Sequence, residues 1–266
     1  MNDRSFIFIG LALYLAAFLH SLYLLRERGQ WESRAHSVLV VVGWLFHSYG
    51  MFLRGRQLGG CPVTNLFETV MFITWALVLV YLLVGLKWRV SLLGSFTLPL
   101  VIALCVFAMF PAMDQARSNL TRSVWLSLHA TLSLLAYGMW ALAGVTGVMY
   151  LVQERQLKSH HLRSLCLRLP PIAHLDLINF RLLIAGLILL SAGVALGFVV
   201  GLILVKKDVL KAVWTFAIWA IYAGLVMVRM TGRMRGRKIA IGSIVLLVIV
   251  LATFWGVNHL SAAHRF

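Results

Sequence analysis

Eight long apolar runs dominate this 266-residue sequence and restrict what the chain can fold into. Each run is roughly as long as the 20 or so apolar residues with which an α-helix crosses the hydrocarbon core of a bilayer. The runs are Ser5–Leu25, Ser37–Leu53, Asn65–Gly85, Leu92–Phe110, Trp125–Val152, Asn179–Val205, Lys211–Met230 and Lys238–Val257. They are continuously apolar, whereas the strands of a membrane barrel alternate apolar and polar residues. We therefore expect an all-α, polytopic integral membrane protein with about eight transmembrane helices in one bundle.

The composition excludes several other classes of protein. Hydrophobic residues make up 61% of the chain and charged residues 12%, against about 45–50% and 25% in soluble globular proteins. Such a chain is too apolar for intrinsic disorder, and its three cysteines are too few for a disulfide framework. The longest predicted loop is Gln153–Ile178, so we expect one membrane domain over residues 1–266. Nucleotide-binding, hydrolase and metalloprotease motifs are absent from the sequence, and we do not expect an enzyme.

The positions of the Lys and Arg residues predict the orientation of the chain. An orientation with both termini outside puts fifteen of the 24 Lys and Arg residues on the inner side, in agreement with the excess of positive charge in cytoplasmic loops. We therefore expect a multi-pass protein of the bacterial inner membrane with both termini on the periplasmic side. Its net charge of +16 predicts contact with anionic membrane lipid and not with nucleic acid.

Three histidines near the predicted outer face are candidates for function. His129 lies one turn into the fifth run, and His259 and His264 follow the eighth run. Ionisable side chains at membrane depth are rare because their transfer into lipid is costly, so those that occur are candidates for a functional site. Two neutral imidazoles from different helices can be the axial ligands of a six-coordinate haem. A single intramembrane histidine can also simply hydrogen-bond to a neighbouring helix.

Aromatic side chains that could flank a haem accompany these histidines. Trp125 and Trp255 precede His129 and His259 by four residues, so each pair shares a helical face, and Trp214 lies in the seventh run. Tryptophan also gathers at membrane interfaces without any ligand. The spacing alone leaves both interpretations open.

Other polar residues of the apolar runs have structural explanations. Glu68 follows Thr64 and Asn65, either of which can cap a helix, and an acid in the first turn is favoured by the helix dipole. His20 and His47 are expected to form a polar connection between the first two helices. The alternative is a small-solute transporter whose path these histidines and Glu68 would line, although no internal repeat is visible.

Three glycines of the sixth run, Gly193, Gly197 and Gly201, are spaced four residues apart. Small residues at this spacing form a stripe along one side of a helix and let a second helix approach closely. We expect another helix to pack there.

Four segments, in this order along the chain, resemble the CcsA-type cytochrome c assembly proteins and their shorter HemX-like relatives. Gly59–Trp75 resembles the family's G-H-x-P-x-x-N-x-Y-E-S-x-x-F-x-x-W stretch. Trp125–Leu142 resembles the segment that bears the first external haem-ligand histidine, and Leu175–Gly197 is similar to the L-D-x-L-x-Y-R-x-x-x-x-G-F-x-x-L-T-x-G run. Met234–Phe266 resembles the closing helix, in which G-V-N is followed by the second external histidine.

The resemblance implies haem delivery across the membrane and presentation to apocytochrome c, with His129 and His264 as axial ligands of haem b. It also implies a further cytochrome c assembly subunit as a partner. The chain departs from the full family pattern at three places. Its VGLILVKKDVLKAVW stands where the tryptophan-rich motif is expected, Cys61 replaces the histidine of G-H-x-P, and LVMVRM lacks a further histidine. These departures favour the alternative of a HemX-like structural or regulatory membrane protein that has lost haem binding.

Overall fold

The computed structural model describes residues 3–26, 34–88, 92–110, 114, 124–159, 169–204 and 209–263. These ranges contain eight α-helices and no β-strand, which confirms the all-α prediction. The helices are α1 (Asp3–Arg26), α2 (Arg34–Leu58), α3 (Leu66–Trp88), α4 (Leu93–Ala108), α5 (Val124–Lys158), α6 (Ile172–Leu204), α7 (Val209–Met230) and α8 (Arg237–Ala263). Within the described ranges, α1, α2, α3, α5, α6 and α7 are long and apolar enough to cross a membrane, and α4 is a shorter apolar helix. The chain is a multi-pass membrane protein.

Helices α5 and α6 extend beyond the apolar runs that predicted them. α5 continues to Lys158 and α6 begins at Ile172, so both ends of the predicted loop Gln153–Ile178 are helical. Lys158 donates to Glu154 at 2.7 Å, four residues earlier, a pair that supports the last turn of α5. Pro171 stands immediately before α6, a position that suits proline because its missing N–H has no partner at a helix start. Apolar runs indicate only the part of a helix in lipid, so these polar turns could not be found from hydropathy.

The chain divides into two compact units. Unit 1 is Met1–Arg122 with Arg163–Pro170 and contains α1 to α4, and unit 2 is Ser123–Leu162 with Pro171–Phe266 and contains α5 to α8. We call the end of each unit that carries the start of its first helix its outer end, after the predicted orientation, and the opposite end its inner end. The single membrane domain over residues 1–266 stays a prediction.

In unit 1, α1 and α2 are packed closely because glycines face each other. A Cβ atom at Gly10 would lie 2.9 Å from the Gly43 carbonyl oxygen, and one at Gly43 would lie 3.2 Å from the Gly10 carbonyl oxygen. Only glycine allows this approach of two backbones. α3 is connected to α2 by a hydrogen bond from Trp75 Nε1 to Ser48 Oγ at 2.8 Å.

In unit 2, α5 packs along α6 and also contacts α8. The Nδ2 of Asn179 on α6 lies 2.6 Å from the Ala143 carbonyl oxygen of α5 and 3.0 Å from Ser243 Oγ of α8. Trp140 of α5 is stacked on Tyr222 of α7, with ring centroids 3.4 Å apart and planes inclined by 3°. A buried amide and a buried aromatic pair therefore join all four helices of this unit.

Candidate functional site

His129 is held in the contact between α5 and α6. Its Nδ1 lies 2.6 Å from the carbonyl oxygen of Gly193. A carbonyl oxygen can only accept a hydrogen bond, so Nδ1 carries the proton and donates it. In the neutral ring the lone pair is then on Nε2, which is the nitrogen that can bind a metal. Histidines that bind metals commonly donate their other N–H to a backbone carbonyl in this way, which fixes both tautomer and ring orientation.

The ring of His129 fits against α6 because glycines lie beneath it. A Cβ atom at Gly197 would lie 2.9 Å from Cε1 and 3.0 Å from Nδ1 of His129. A Cβ atom at Gly193 would lie 2.6 Å from Ser133 Oγ, one turn further along α5. Both glycines are on the same side of α6 because four residues separate them. The predicted close helix is therefore α5, and the imidazole itself occupies part of the space that the glycine stripe provides.

The two described tryptophans of the candidate site lie at different depths. Trp125 is one turn before His129, and 56% of its surface is exposed. Trp214 donates from Nε1 to Thr253 Oγ1 of α8 at 2.9 Å, and its ring centroid is 6.2 Å from that of Tyr137. Tyr137 is eight residues beyond His129 on α5, a rise of about 12 Å. Trp125 is thus next to His129 along the helix, whereas Trp214 packs deeper and connects α7 to α8.

The second histidine ligand was predicted at the end of α8. The backbone of α8 is described to Ala263, but the side chains of Trp255 and His259 lie outside the described residues, as does all of His264. α5 and α8 are antiparallel, because a Cβ atom at Gly144 would touch Leu247 and one at Gly147 would touch Ser243.

The same pairing can be continued along both helices. His129 is 15 residues before Gly144, and 15 residues after Leu247 is position 262. A pairing that continues in this way puts the level of His129 along α5 at the last turn of α8, near position 262. The second haem ligand stays a prediction from the sequence.

A cluster of charged residues lies at the outer end of unit 1, around Arg54 of α2. Arg54 Nε donates to Glu68 Oε1 at 2.7 Å and Nη1 to Asp3 Oδ2 at 2.9 Å, and Nη2 also pairs with Asp114. The guanidinium carbon is 4.9 Å from the ring centroid of Phe67. One arginine therefore joins α1, α2, α3 and residue 114. Sequence reasoning missed this cluster. The signal for it was that three of the chain's eight acidic residues are predicted to lie at the outer end of this unit.

The start of α3 confirms the predicted helix cap. The side-chain oxygen of Asn65 accepts a hydrogen bond from the backbone N–H of Glu68 at 2.9 Å. Oε2 of Glu68 in turn accepts from the backbone N–H of Thr64 at 2.6 Å and from its hydroxyl at 2.7 Å. This is a reciprocal arrangement of the capping-box type. Glu68 is fully buried, and its charge is compensated by Arg54, so both functions of this carboxylate are structural.

His36, which the sequence pattern did not indicate, makes a polar connection at the inner end of unit 1. Its Nδ1 is 3.1 Å from the Ala17 carbonyl oxygen of α1, and its Nε2 is 3.2 Å from the Tyr81 hydroxyl of α3. His47 is buried beside Tyr14, with ring centroids 6.3 Å apart, and its Nε2 has no hydrogen-bond partner among the described residues. His47 therefore packs against α1, but its Nε2 does not make the polar connection that the sequence predicted.

Comparisons with known proteins identify the family. Residues 63–264 match the family described as Cytochrome C assembly protein. The chain is 26% identical over 264 residues to the cytochrome c biogenesis protein CcsA of Synechococcus sp. (strain CC9605), which covers 85% of each chain. It is 28% identical over 225 residues to the protein HemX of Brevibacillus brevis, and this match covers 82% of each chain. It is 24% identical over 272 residues to the protein HemX of Bacillus subtilis (strain 168), and this match covers all of this chain and 97% of that protein. Because the matched region extends from the residues before α3 through the whole of α8, the chain belongs to the cytochrome c assembly protein family, as its sequence segments indicated.

Proposed function

We propose that this membrane protein handles haem during cytochrome c biogenesis and holds it at the outer end of unit 2. The observation that supports this most directly is the hydrogen bond from His129 Nδ1 to the Gly193 carbonyl oxygen, 2.6 Å long. It leaves Nε2 as the metal-binding nitrogen in a ring whose orientation is restrained by Gly197. Family membership supports a role in cytochrome c biogenesis independently of this geometry.

The described residues fit haem better than a metal ion held by several side chains. Among them, no group of three or more His, Cys, Asp or Glu residues is placed to hold a metal ion. Haem needs only one or two axial side chains, because the porphyrin supplies the other four nitrogens. His129 would bind the iron through Nε2, and the exposed Trp125 would provide an aromatic surface one turn away. The second axial ligand would be His259 or His264, and the cofactor would be haem b, which needs no covalent attachment.

The location and partners follow from the same proposal. With both termini on the periplasmic side of a bacterial inner membrane, the His129 end of unit 2 is where apocytochrome c would be met. The relatives named as cytochrome c biogenesis proteins support apocytochrome c and a further assembly subunit as partners. Such a subunit would supply the aromatic surface that the chain lacks between α6 and α7. On this proposal, the protein binds and presents haem.

The alternative is a HemX-like structural or regulatory protein that does not bind haem. It is favoured by the match to the Bacillus subtilis protein HemX, which covers all of this chain and 97% of that protein. On this interpretation the hydrogen bond of His129 to Gly193 serves only the packing of α5 on α6. The two proposals differ in one measurable property, which is haem bound at His129.

The test is an optical spectrum of the detergent-purified protein, oxidised and dithionite-reduced, with haem quantified as the pyridine haemochrome. We expect one haem per chain, with the sharp reduced bands of six-coordinate iron, and we expect His129→Ala to lose it. His174→Ala is the matched control, because His174 is a half-buried histidine near the start of α6, at the inner end of the same unit. His259→Ala and His264→Ala, made separately, identify the second ligand. Equal haem contents in the His129 and His174 variants would disprove the assignment of His129.

A further inference from the structure

A cavity of about 520 Å³ lies at the inner end of unit 2, between α6 and α7. Its lining combines two kinds of surface. The charged lining residues are Asp176, Arg229 and Arg235, and the apolar ones are Phe180, Ile184 and Met230. A cavity lined by both charged and apolar side chains at the end of a membrane helix pair suits a phospholipid, which has a charged headgroup and apolar acyl chains.

Arg229 retains hydrogen-bonding capacity after its contacts within the protein are made. Its Nη2 pairs with the carboxylate of Asp176, and its guanidinium carbon is 5.3 Å from the ring centroid of Phe180. Its Nη1 is buried and has no hydrogen-bond partner among the described residues. A guanidinium has five N–H donors, and a buried donor without an acceptor is unfavourable. An additional anionic group near Arg229 would therefore be favoured.

The charge around the cavity also favours an anion. The described inner end of unit 2 carries eight cationic side chains and two carboxylates. The cations are Arg155, Lys158, Arg181, Arg229, Arg233, Arg235, Arg237 and Lys238, and the carboxylates are Glu154 and Asp176. Both carboxylates are already paired, Glu154 with Lys158 at 2.7 Å and Asp176 with Arg229. Cationic side chains therefore outnumber carboxylates at the described inner end of this unit.

We propose that this cavity binds the headgroup of an anionic phospholipid, with the phosphate between Arg229 and Arg235 and an acyl chain along Phe180, Ile184 and Met230. Arginine suits this task because its planar donors match two phosphate oxygens at once. The lipid would bridge the inner ends of α6 and α7, beside the ion pair that already joins them. This site is separate from the haem site at the outer end of the unit and does not depend on the proposed haem function.

The test measures lipid binding to the purified full chain, by native mass spectrometry and by thermal unfolding in detergent. The probes are phosphatidylglycerol, zwitterionic phosphatidylcholine and inorganic phosphate, each titrated separately. We expect phosphatidylglycerol to bind at least about tenfold more tightly than phosphatidylcholine and to raise the unfolding temperature, with little effect of inorganic phosphate. Equal binding of the two lipids would refute an anion site, and equal stabilisation by inorganic phosphate would refute the lipid as its ligand.

Arg235→Gln is the informative variant, because Arg235 lines the cavity but is exposed, whereas loss of Arg229 would leave Asp176 unpaired. We expect it to weaken phosphatidylglycerol binding about tenfold, the effect of one lost charge-assisted hydrogen bond. Arg233→Gln removes the same charge from an exposed residue of the same turn that does not line the cavity, and it should weaken binding less than about twofold. Equal losses in the two variants would mean that the lipid responds only to the general positive charge, and the proposed site would be wrong.

Discussion

Replacing Gly197 with alanine tests the proposed haem site without removing any candidate ligand. The new Cβ atom would lie 2.9 Å from Cε1 of His129, which is about 0.6 Å inside the shortest favourable carbon–carbon separation of about 3.5 Å. The imidazole must therefore move, and its hydrogen bond to Gly193 must lengthen or break. Disturbing the hydrogen-bond partner of a metal-binding histidine typically lowers metal affinity by about 10–100-fold. We expect a loss of haem affinity in this range.

The same substitution has a small expected effect on stability. Overpacking costs about 1–3 kcal/mol, and alanine recovers about 0.5–1 kcal/mol relative to glycine within a helix. The net destabilisation should thus be between about zero and 2.5 kcal/mol, and a folded protein should be recovered. Gly224→Ala is the matched control, because a Cβ atom at Gly224 of α7 meets nothing within 4 Å. That variant should keep its haem and be as stable as the original protein or slightly more stable.

The assay is a haem titration of each purified variant, followed by the Soret band, together with its thermal unfolding temperature. If the Gly197 and Gly224 variants bind haem equally well and with the same reduced spectrum, Gly197 does not position a haem ligand. If only the unfolding temperature of the Gly197 variant falls, the contact with His129 serves helix packing, as the HemX-like alternative requires.

Three other residues give independent tests of the structure. Asn179→Leu removes the buried hydrogen bonds from α6 to Ala143 and Ser243, so the unfolding free energy should fall by about 1–3 kcal/mol, and an unchanged urea midpoint would contradict this. Burial raises the pKa of Asp114, but the hydrogen bond from Arg4 and the charge of Arg54 lower it more, so the net pKa is below its ordinary value of 3.8. A carboxyl whose pKa is lower in the folded state stabilises the protein at pH values above its unfolded-state pKa, and this contribution is lost as the pH falls through the folded-state pKa. The free energy of unfolding should therefore fall less steeply below about pH 4 for Asp114→Asn than for the original protein. Arg54→Gln leaves the carboxylates around it without their guanidinium and should lower the unfolding free energy by about 3–5 kcal/mol. The control Arg56→Gln, at an exposed neighbouring residue, should change it by less than about 0.5 kcal/mol. Equal effects of the two variants in thermal unfolding would count against the cluster.

The helices were predictable from the sequence because a helix that crosses a bilayer needs a run of about 20 apolar residues. All eight runs correspond to helices, and α7 ends at the predicted Met230. α8 extends beyond its predicted end, from Val257 to Ala263. The inner ends of α5 and α6 also differ from the prediction, because the helices continue there through polar residues. Those turns are stabilised by pairs such as Lys158 with Glu154 and Arg229 with Asp176. The second of these joins two helices, and hydropathy carries no information about it.

The candidate site was predictable in part. His129 could be found because an ionisable residue at membrane depth is uncommon, and the glycine stripe of α6 indicated a close helix. The connection between them could not be found, because Gly193 is 64 residues from His129 in sequence and the contact depends on which helices pack together. The same holds for Arg54, whose partners Asp3 and Asp114 are 51 and 60 residues away.

The segments that carry the family resemblance differ in what they contribute to function. Asn65 and Glu68 in the first segment cap α3, Glu68 also binds Arg54, and Asp176 in the third segment binds Arg229. These contacts hold helices together and would be required whether or not haem is bound. His129 in the second segment is different, because its hydrogen bond to Gly193 leaves the lone pair of the neutral ring on Nε2, where the proposed haem iron would bind. A match to the family can therefore persist after haem binding is lost, and whether this chain binds haem must be decided at His129 and its glycine neighbours.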